Sequence, residues 1–336
     1  MDRRGFLITA SGALAGSADP QVHRTAPRWP GAGSAPRRVD AAALDRLDAR
    51  LQDLAHLDDA FGGTRLRQRA AAELATALGL LRHASYSEAI GRRLYASACE
   101  AARASAWACF DTGRHDAARD YFATAARASA LANDPIAGAY AMSLAAVARY
   151  TLGDVRDALR LCESARTAVA GKATPRFSAM LAARTARAHS KAGHRRDCAR
   201  ELQRARDLFA RGRRDADPAT LYWVDEAEIE MIAGSSALEL GDPREAVRCF
   251  DAALAARYDP DTQYPRSGAI YLSRAADAHL HLHDLDRAVE AARRALACLE
   301  HVGSARSEAA VGELRGKFTA HRNARVVREF LEASTA

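Results

Sequence analysis

Five times along this chain a turn residue is followed, at fixed offsets, by small side chains. The copies run GRHDAARDYFATA from Gly113, GDVRDALRLCESA from Gly153, GHRRDCARELQRA from Gly193, GDPREAVRCFDAA from Gly241 and HDLDRAVEAARRA from His283. Five residues after the turn stand Ala118, Ala158, Cys198, Ala246 and Ala288. Four further on stand Phe122, Cys162, Leu202, Phe250 and Ala292, and three beyond those Ala125, Ala165, Ala205, Ala253 and Ala295. The turns are 40, 40, 48 and 42 residues apart. A unit of that length cannot bury its apolar face alone and must stack on copies of itself. The predicted fold is all-α: a right-handed solenoid of about five degenerate helical hairpins, closed by capping helices. Such arrays bind along a concave surface, so recognition is expected before catalysis.

Composition agrees. Aromatics make up 6% of the 336 residues, alanine is abundant, and small residues allow close helix approach. The net charge of +7 comes almost wholly from arginine, since Lys172, Lys191 and Lys317 are the only lysines. That charge is scattered rather than gathered in a block, which fits a solvated surface better than a nucleic-acid-tracking face. The six cysteines (Cys99, Cys109, Cys162, Cys198, Cys249, Cys298) fall in apolar helical slots without CxxC spacing. They are expected to be small buried hydrophobes of a reducing compartment.

Four segments are expected. Residues 1–38 form a disordered N-terminal stretch carrying Arg3-Arg4-Gly5-Phe6-Leu7 and a Pro/Gly/Ser-rich run. Its start also has the form of a twin-arginine export signal released after Ala18, so an exported protein is the alternative to a cytoplasmic one. Residues 39–85 hold capping helices, with Leu44, Leu47, Leu51 and Leu54 on one face. The array occupies 86–303, and residues 304–336 hold the C-terminal capping helices. Asp134-Pro135, Thr174-Pro175 and Asp217-Pro218 place a capping side chain before a proline, and each is expected to open the first helix of a hairpin; Pro265 is expected to do the same. RGRRDAD, from Arg211 to Asp217, is expected to be a solvated loop between repeats.

The turn glycine, the small residue five later and the crossing-point alanine resemble tetratricopeptide repeats, although the usual first-helix tryptophan and tyrosine are mostly replaced. HLDDAFGG (His56 to Gly63), the stretch YSEAIGRRLYASACEAARASAWACFDTGRHDAARDYF (Tyr86 to Phe122) and SARSEAAVGELRGKF with HRNARVVREFLE (Ser304 to Glu332) resemble the sensor region of actinobacterial Xre-type transcriptional regulators. Those regulators carry a helix-turn-helix domain, then an RRxFL-like segment, then the repeats. The resemblance therefore implies a part in transcriptional control. No helix-turn-helix precedes Arg3-Arg4 in this sequence, so direct DNA binding is not expected; a separate DNA-binding regulator is an expected partner.

No GxSxG, GxxxxGK[ST], dinucleotide glycine pattern or HExxH occurs, and neither enzyme activity nor cofactor is expected. His279 and His283 are four residues apart, a spacing zinc can use, but the repeat register puts one in the packing and the other at a turn; no metal is expected. Asp225, Glu226, Glu228 and Glu230 suit a helix N-terminus. Counting back from each turn places Arg103, Trp107 and Asp111, then Tyr140, Ser143, Val147 and Tyr150, then Met180, Arg187 and Lys191, then Met231, Ser235 and Glu239, and finally Ser273 and Asp277 on the inner surface. Of these, Arg103, Trp107, Asp111, Tyr140, Ser143, Tyr150, Arg187, Lys191, Met231 and Asp277 are the expected ligand-binding groove. Aromatic and methionine surface with Arg103, Arg187 and Lys191 suits an extended peptide or protein partner. No membrane association is expected, and homodimerisation is left open.

Overall fold

The structure, a computed structural model, describes residues 3–16, 38–256, 264–300 and 302–333. It is all-α, with a lone bridge between Arg38 and Ser85 as the one extended pairing among the described residues. The helices are α1 Arg3–Gly16, α2 Ala41–Phe61, α3 Gly63–His83, α4 Glu88–Asp111, α5 His115–Ala132, α6 Pro135–Thr151, α7 Val155–Ala168, α8 Pro175–Lys191, α9 Arg195–Phe209, α10 Glu226–Glu239, α11 Pro243–Ala256, α12 Pro265–His281, α13 Leu285–Leu299, α14 Ala305–Phe318 and α15 Arg325–Ala333. None is long and apolar enough to cross a membrane. The chain divides into two compact units: Met1–Ala145 with Glu163–Lys172, and Ala146–Cys162 with Ala173–Ala336.

The hairpins are tetratricopeptide-like, and their turns are built alike. Gly113, Gly153, Gly193 and Gly241 have φ between 73° and 88°, and His283 takes the same left-handed conformation at 58°. One backbone bond then closes each turn over the preceding helix end: Arg114 N–H to Cys109 O at 2.8 Å, Asp154 to Arg149 at 2.9 Å, His194 to His189 at 2.9 Å, Asp242 to Ala237 at 2.9 Å and Asp284 to His279 at 3.0 Å. This is the six-to-one bond of a Schellman closure, which favours glycine at the turn because it carries no Cβ to strain the left-handed conformation. The small residues beyond the turns are buried as the spacing requires: Ala118, Ala158, Cys198, Ala246 and Ala288 are at most 3% exposed. Ala125, Ala165, Ala205, Ala253 and Ala295 are sealed in the same way.

Asp134 accepts from Ala137 N–H at 2.9 Å and Thr174 from Phe177 N–H at 3.3 Å, so both cap-proline pairs open helices, as does Pro265. Asp217-Pro218 does not. Pro218 leads into a short 3-10 turn, Ala219–Leu221, and α10 starts at Glu226 under an Asp225 cap that accepts from Glu228 N–H at 2.8 Å. The extra residues of the 48-residue spacing are accommodated there.

Residues 17–37 lie outside the described part, but the expectation of disorder fails over 3–16. α1 is amphipathic enough to pack: Phe6 and Ala10 are fully buried, and Phe6 meets the Tyr95 ring edge-on at 5.4 Å. Arg3 donates to Leu81 O and lies over the Tyr86 ring, while Arg82 donates to Ser11 Oγ at 2.7 Å. Burying one phenylalanine contributes about 1.5–3 kcal/mol toward docking this helix, beside the contacts of Arg3 and Ser11. At the other end of the chain, α14 and α15 close the array over α12 and α13, with Phe318 and Phe330 packed at 5.0 Å. All six cysteines are free and buried, and burial raises the thiol of Cys109 to about 11 and that of Cys249 to about 12.

Candidate functional site

The expected groove residues fall into two sets, one in each unit, and the two sets differ. In the first unit the polar groups are spent on one another. Arg103 is buried, pairs with Glu100 through Nε at 2.9 Å and lies over the Tyr140 ring at 4.9 Å. Burial opposes its charge, but Glu100 more than compensates and raises its pKa. Asp111 is fully buried at the end of α4 and accepts from Gly63 N–H at 3.1 Å. A Cβ on Gly63 would lie 2.8 Å from Ala108 O, so this junction needs glycine. Ser143 is fully buried and donates to Tyr140 O at 2.7 Å. Trp107 is half-buried against Phe110, 5.5 Å between ring centres. Asp111 and Ser143 therefore serve packing rather than ligand contact, because a buried carboxylate or hydroxyl must find its partner inside the fold.

In the second unit α8, α10 and α12 bring a different set together. Tyr271 donates to Glu228 Oε1 at 2.7 Å, and Arg274 donates to Ser235 Oγ at 3.0 Å while its guanidinium lies 5.7 Å from the Tyr271 ring centre. Arg187 is 5% exposed; it donates to Ser190 Oγ at 2.8 Å and to Glu239 Oε2 at 3.2 Å, and its Nε has no hydrogen-bond partner. Lys191 shares Glu239 at 2.7 Å. Arg184 stacks over Trp223 at 5.0 Å. Met180 and Met231 are sealed at 2% and 1% exposure, so the expected methionine surface belongs to the core. Asp277 is committed to Lys317 Nζ at 2.7 Å.

The electrostatics of this cluster are unbalanced toward positive charge. Burial, and then the like charge of Arg187, lower the Arg274 pKa from 12.5 to about 10. Burial raises Glu228 from the ordinary value of 4.5 to about 7, against the pull of Tyr271, Arg184 and Arg274. Burial likewise raises the Tyr150 phenol, against Arg187, Arg184 and Arg274. Two arginines thus stand close to one glutamate and two phenols, and guanidinium forks are chemically suited to carboxylate oxygens lying in a plane.

Of the expected residues, Tyr150 and Arg187 belong to this cluster. Arg184, Glu228, Tyr271 and Arg274 were not among them, although a signal existed: Arg184 and Arg274 both stand nine residues before their turn residue, Gly193 and His283. The acidic opening of α10 is likewise more than a helix-terminus effect, for Glu228 meets Tyr271 and Glu230 pairs with Arg206 at 2.7 Å. The three histidines near the last turn do not converge. His279 is buried with Nδ1 3.8 Å from Asp284, His281 faces Asp277 at 3.7 Å, and His283 packs edge-on to His321.

No protein-family model matches the sequence, and no curated protein matches it. Among solved structures, the apo form of the quorum sensor NprR from B. thuringiensis is similar, with a TM-score of 0.47 and 14% sequence identity over 86% of this chain and 84% of that one.

Proposed function

We propose that this chain is a non-enzymatic regulatory protein of the cytoplasm that binds a peptide or protein partner, and that the arginine cluster of the second unit holds a carboxylate of that partner. The observation that carries this reading is Arg274. Among the described residues no carboxylate pairs with it; its partners are a serine hydroxyl and the face of a tyrosine, and a second arginine stands beside it. A cation kept in that setting costs the fold free energy, and an incoming anion repays it. Arg184 on Trp223 and the phenols of Tyr150 and Tyr271 add flat surface for a peptide's side chains.

The resemblance to Xre-type sensor regions supports a role in transcriptional control, exerted through a separate DNA-binding regulator. The buried Phe6 of α1 supports a reading in which Arg3-Arg4 begins a structural helix that stays with the chain; cleavage after Ala18 would strip a packed helix from the first unit.

The test pans the full-length protein against a random hexapeptide pool with free carboxyl termini, and against the same pool amidated. Free-acid peptides are expected to be enriched and to bind Arg274→Gln at least about 10-fold more weakly, the worth of one charge-assisted hydrogen bond. Equal enrichment of the amidated pool, or undiminished binding to Arg274→Gln with helicity intact, removes the carboxylate site.

A further inference from the structure

Each Schellman turn sets the third-last residue of the first helix beside the residue that opens the second. In the second unit this pair of places is filled four times. Arg149 and Asp154 stand 3.6 Å apart, and His279 and Asp284 3.8 Å apart, each a basic group facing an acid. The fourth repeat has Ala237 and Asp242, and there Asp242 caps its helix by accepting from Glu245 N–H at 3.1 Å. The third repeat breaks the pattern with two histidines. His194 replaces the acid and makes no capping hydrogen bond; instead its Nδ1 lies 3.3 Å from Nδ1 of His189.

Two imidazoles cannot form the ion pair that Arg149 and Asp154 form at their turn. At that distance either one ring donates its Nδ1–H to the other, or a cation stands between the two nitrogens. Asp197, one turn into α9, brings a carboxylate to the same point, and the three ligand atoms lie within 4.8 Å of one another. Zinc–nitrogen bonds of about 2.0–2.1 Å at a tetrahedral angle separate two ligand nitrogens by about 3.3 Å, the spacing already present. Two neighbouring cations are directed elsewhere, Lys191 to Glu239 at 2.7 Å and Arg195 to Leu240 O, whereas Arg200 pairs with one oxygen of Asp197 itself at 2.7 Å.

We infer that His189, His194 and Asp197 form a binding site for a divalent transition metal of the zinc class, with solvent completing the coordination. Two nitrogens and one carboxylate suit zinc, copper or nickel rather than magnesium or calcium. Metal entry displaces the proton shared by the two rings, and the ion ties the end of α8 to the start of α9. That end of α8 carries Arg187 and Lys191, so occupancy fixes the helix turn on which the arginine cluster stands. The site itself does not depend on the peptide-binding reading.

The test is equilibrium dialysis of the tag-free, metal-stripped full-length chain against zinc(II), with cobalt(II) absorption as the spectroscopic probe. One zinc per chain is expected, with a cobalt spectrum that reports histidine ligation. His194→Asn restores a favoured capping residue and so keeps the fold, but it removes a ligand. Its zinc affinity should fall by at least about 10-fold, no less than the loss of an outer-shell partner costs. His279→Ala should bind zinc as the parent does. No stoichiometric zinc, or affinity unchanged in His194→Asn, overturns the site; a loss in His279→Ala alone would place the ion at the last turn instead and overturn it equally.

Discussion

The inner faces of the two units start from the same repeat register and end in opposite electrostatic states. In the first unit Arg103 has Glu100 and the Tyr140 ring, Asp111 has the Gly63 amide, and Ser143 has a backbone carbonyl. In the second, Arg274 has a serine and a tyrosine face, and Arg187 adds a second positive charge beside it. A face whose polar groups are satisfied from within is structure. A face that holds like charges together carries a cost, here relieved only in part from within, since Arg187 has Glu239 while Arg274 has no ion-pair partner among the described residues. The contrast teaches that a residue type at a groove position is not enough to propose a ligand site; its electrostatic surroundings must be known as well.

The comparison can be broken by substitutions of opposite sign. Arg103→Ala should destabilise the first unit by about 2–4 kcal/mol, because it strands Glu100 without its partner. Urea unfolding measures this, and a neutral result would mean the first inner face is as open as the second. Arg274→Gln should instead raise stability at pH 7 by about 1–3 kcal/mol, since its charged form is disfavoured in the fold. A gain in stability accompanied by a loss of peptide binding would sharpen the contrast; destabilisation would refute it.

Glu228 supplies a pH signature. Its folded pKa of about 7 lies above the ordinary 4.5, so the folded state binds more protons than the unfolded state between these values. Its contribution is complete below pH 4.5 and is lost as pH rises through 7. Glu228→Gln keeps an acceptor for Tyr271 and should be about 1–3 kcal/mol more stable than the parent at pH 8, with the difference vanishing at pH 4. Parallel stability curves for the two proteins would rule out a perturbed Glu228. The smallest effect is expected at the one turn without glycine. His283→Gly should stabilise by about 1 kcal/mol, by relieving a β-carbon at φ 58°, and thermal unfolding would register it.

Much of the fold was legible because it is local. The turn residues at fixed spacing, the alanines behind them and the cap-proline pairs at Asp134 and Thr174 each act within a few residues, so their meaning survives without knowledge of neighbours. Where local logic failed, a longer contact overrode it. Asp217-Pro218 resembles the other helix openings, yet Asp225 provides the cap and α10 begins later. α1 reads as a broken apolar run, but Phe6 finds Tyr95, nearly ninety residues away in the chain, and packs.

The candidate sites were less legible for the same reason. The register could place Tyr150 and Arg187 on an inner face, but could not show that these two stand beside Arg274 while Asp111 and Ser143 are satisfied locally and Met231 is packed in the core. Nor could it show that His189 and His194 face each other, since that needs the turn to fold them back to 3.3 Å. The sequence by itself determined the all-helical architecture, the number and closure of the hairpins, and the burial of the small residues between them. Only the tertiary structure decided which charges are paired between helices, such as Arg187 with Glu239 and Lys317 with Asp277, because periodicity within one helix carries no record of its neighbour's charge.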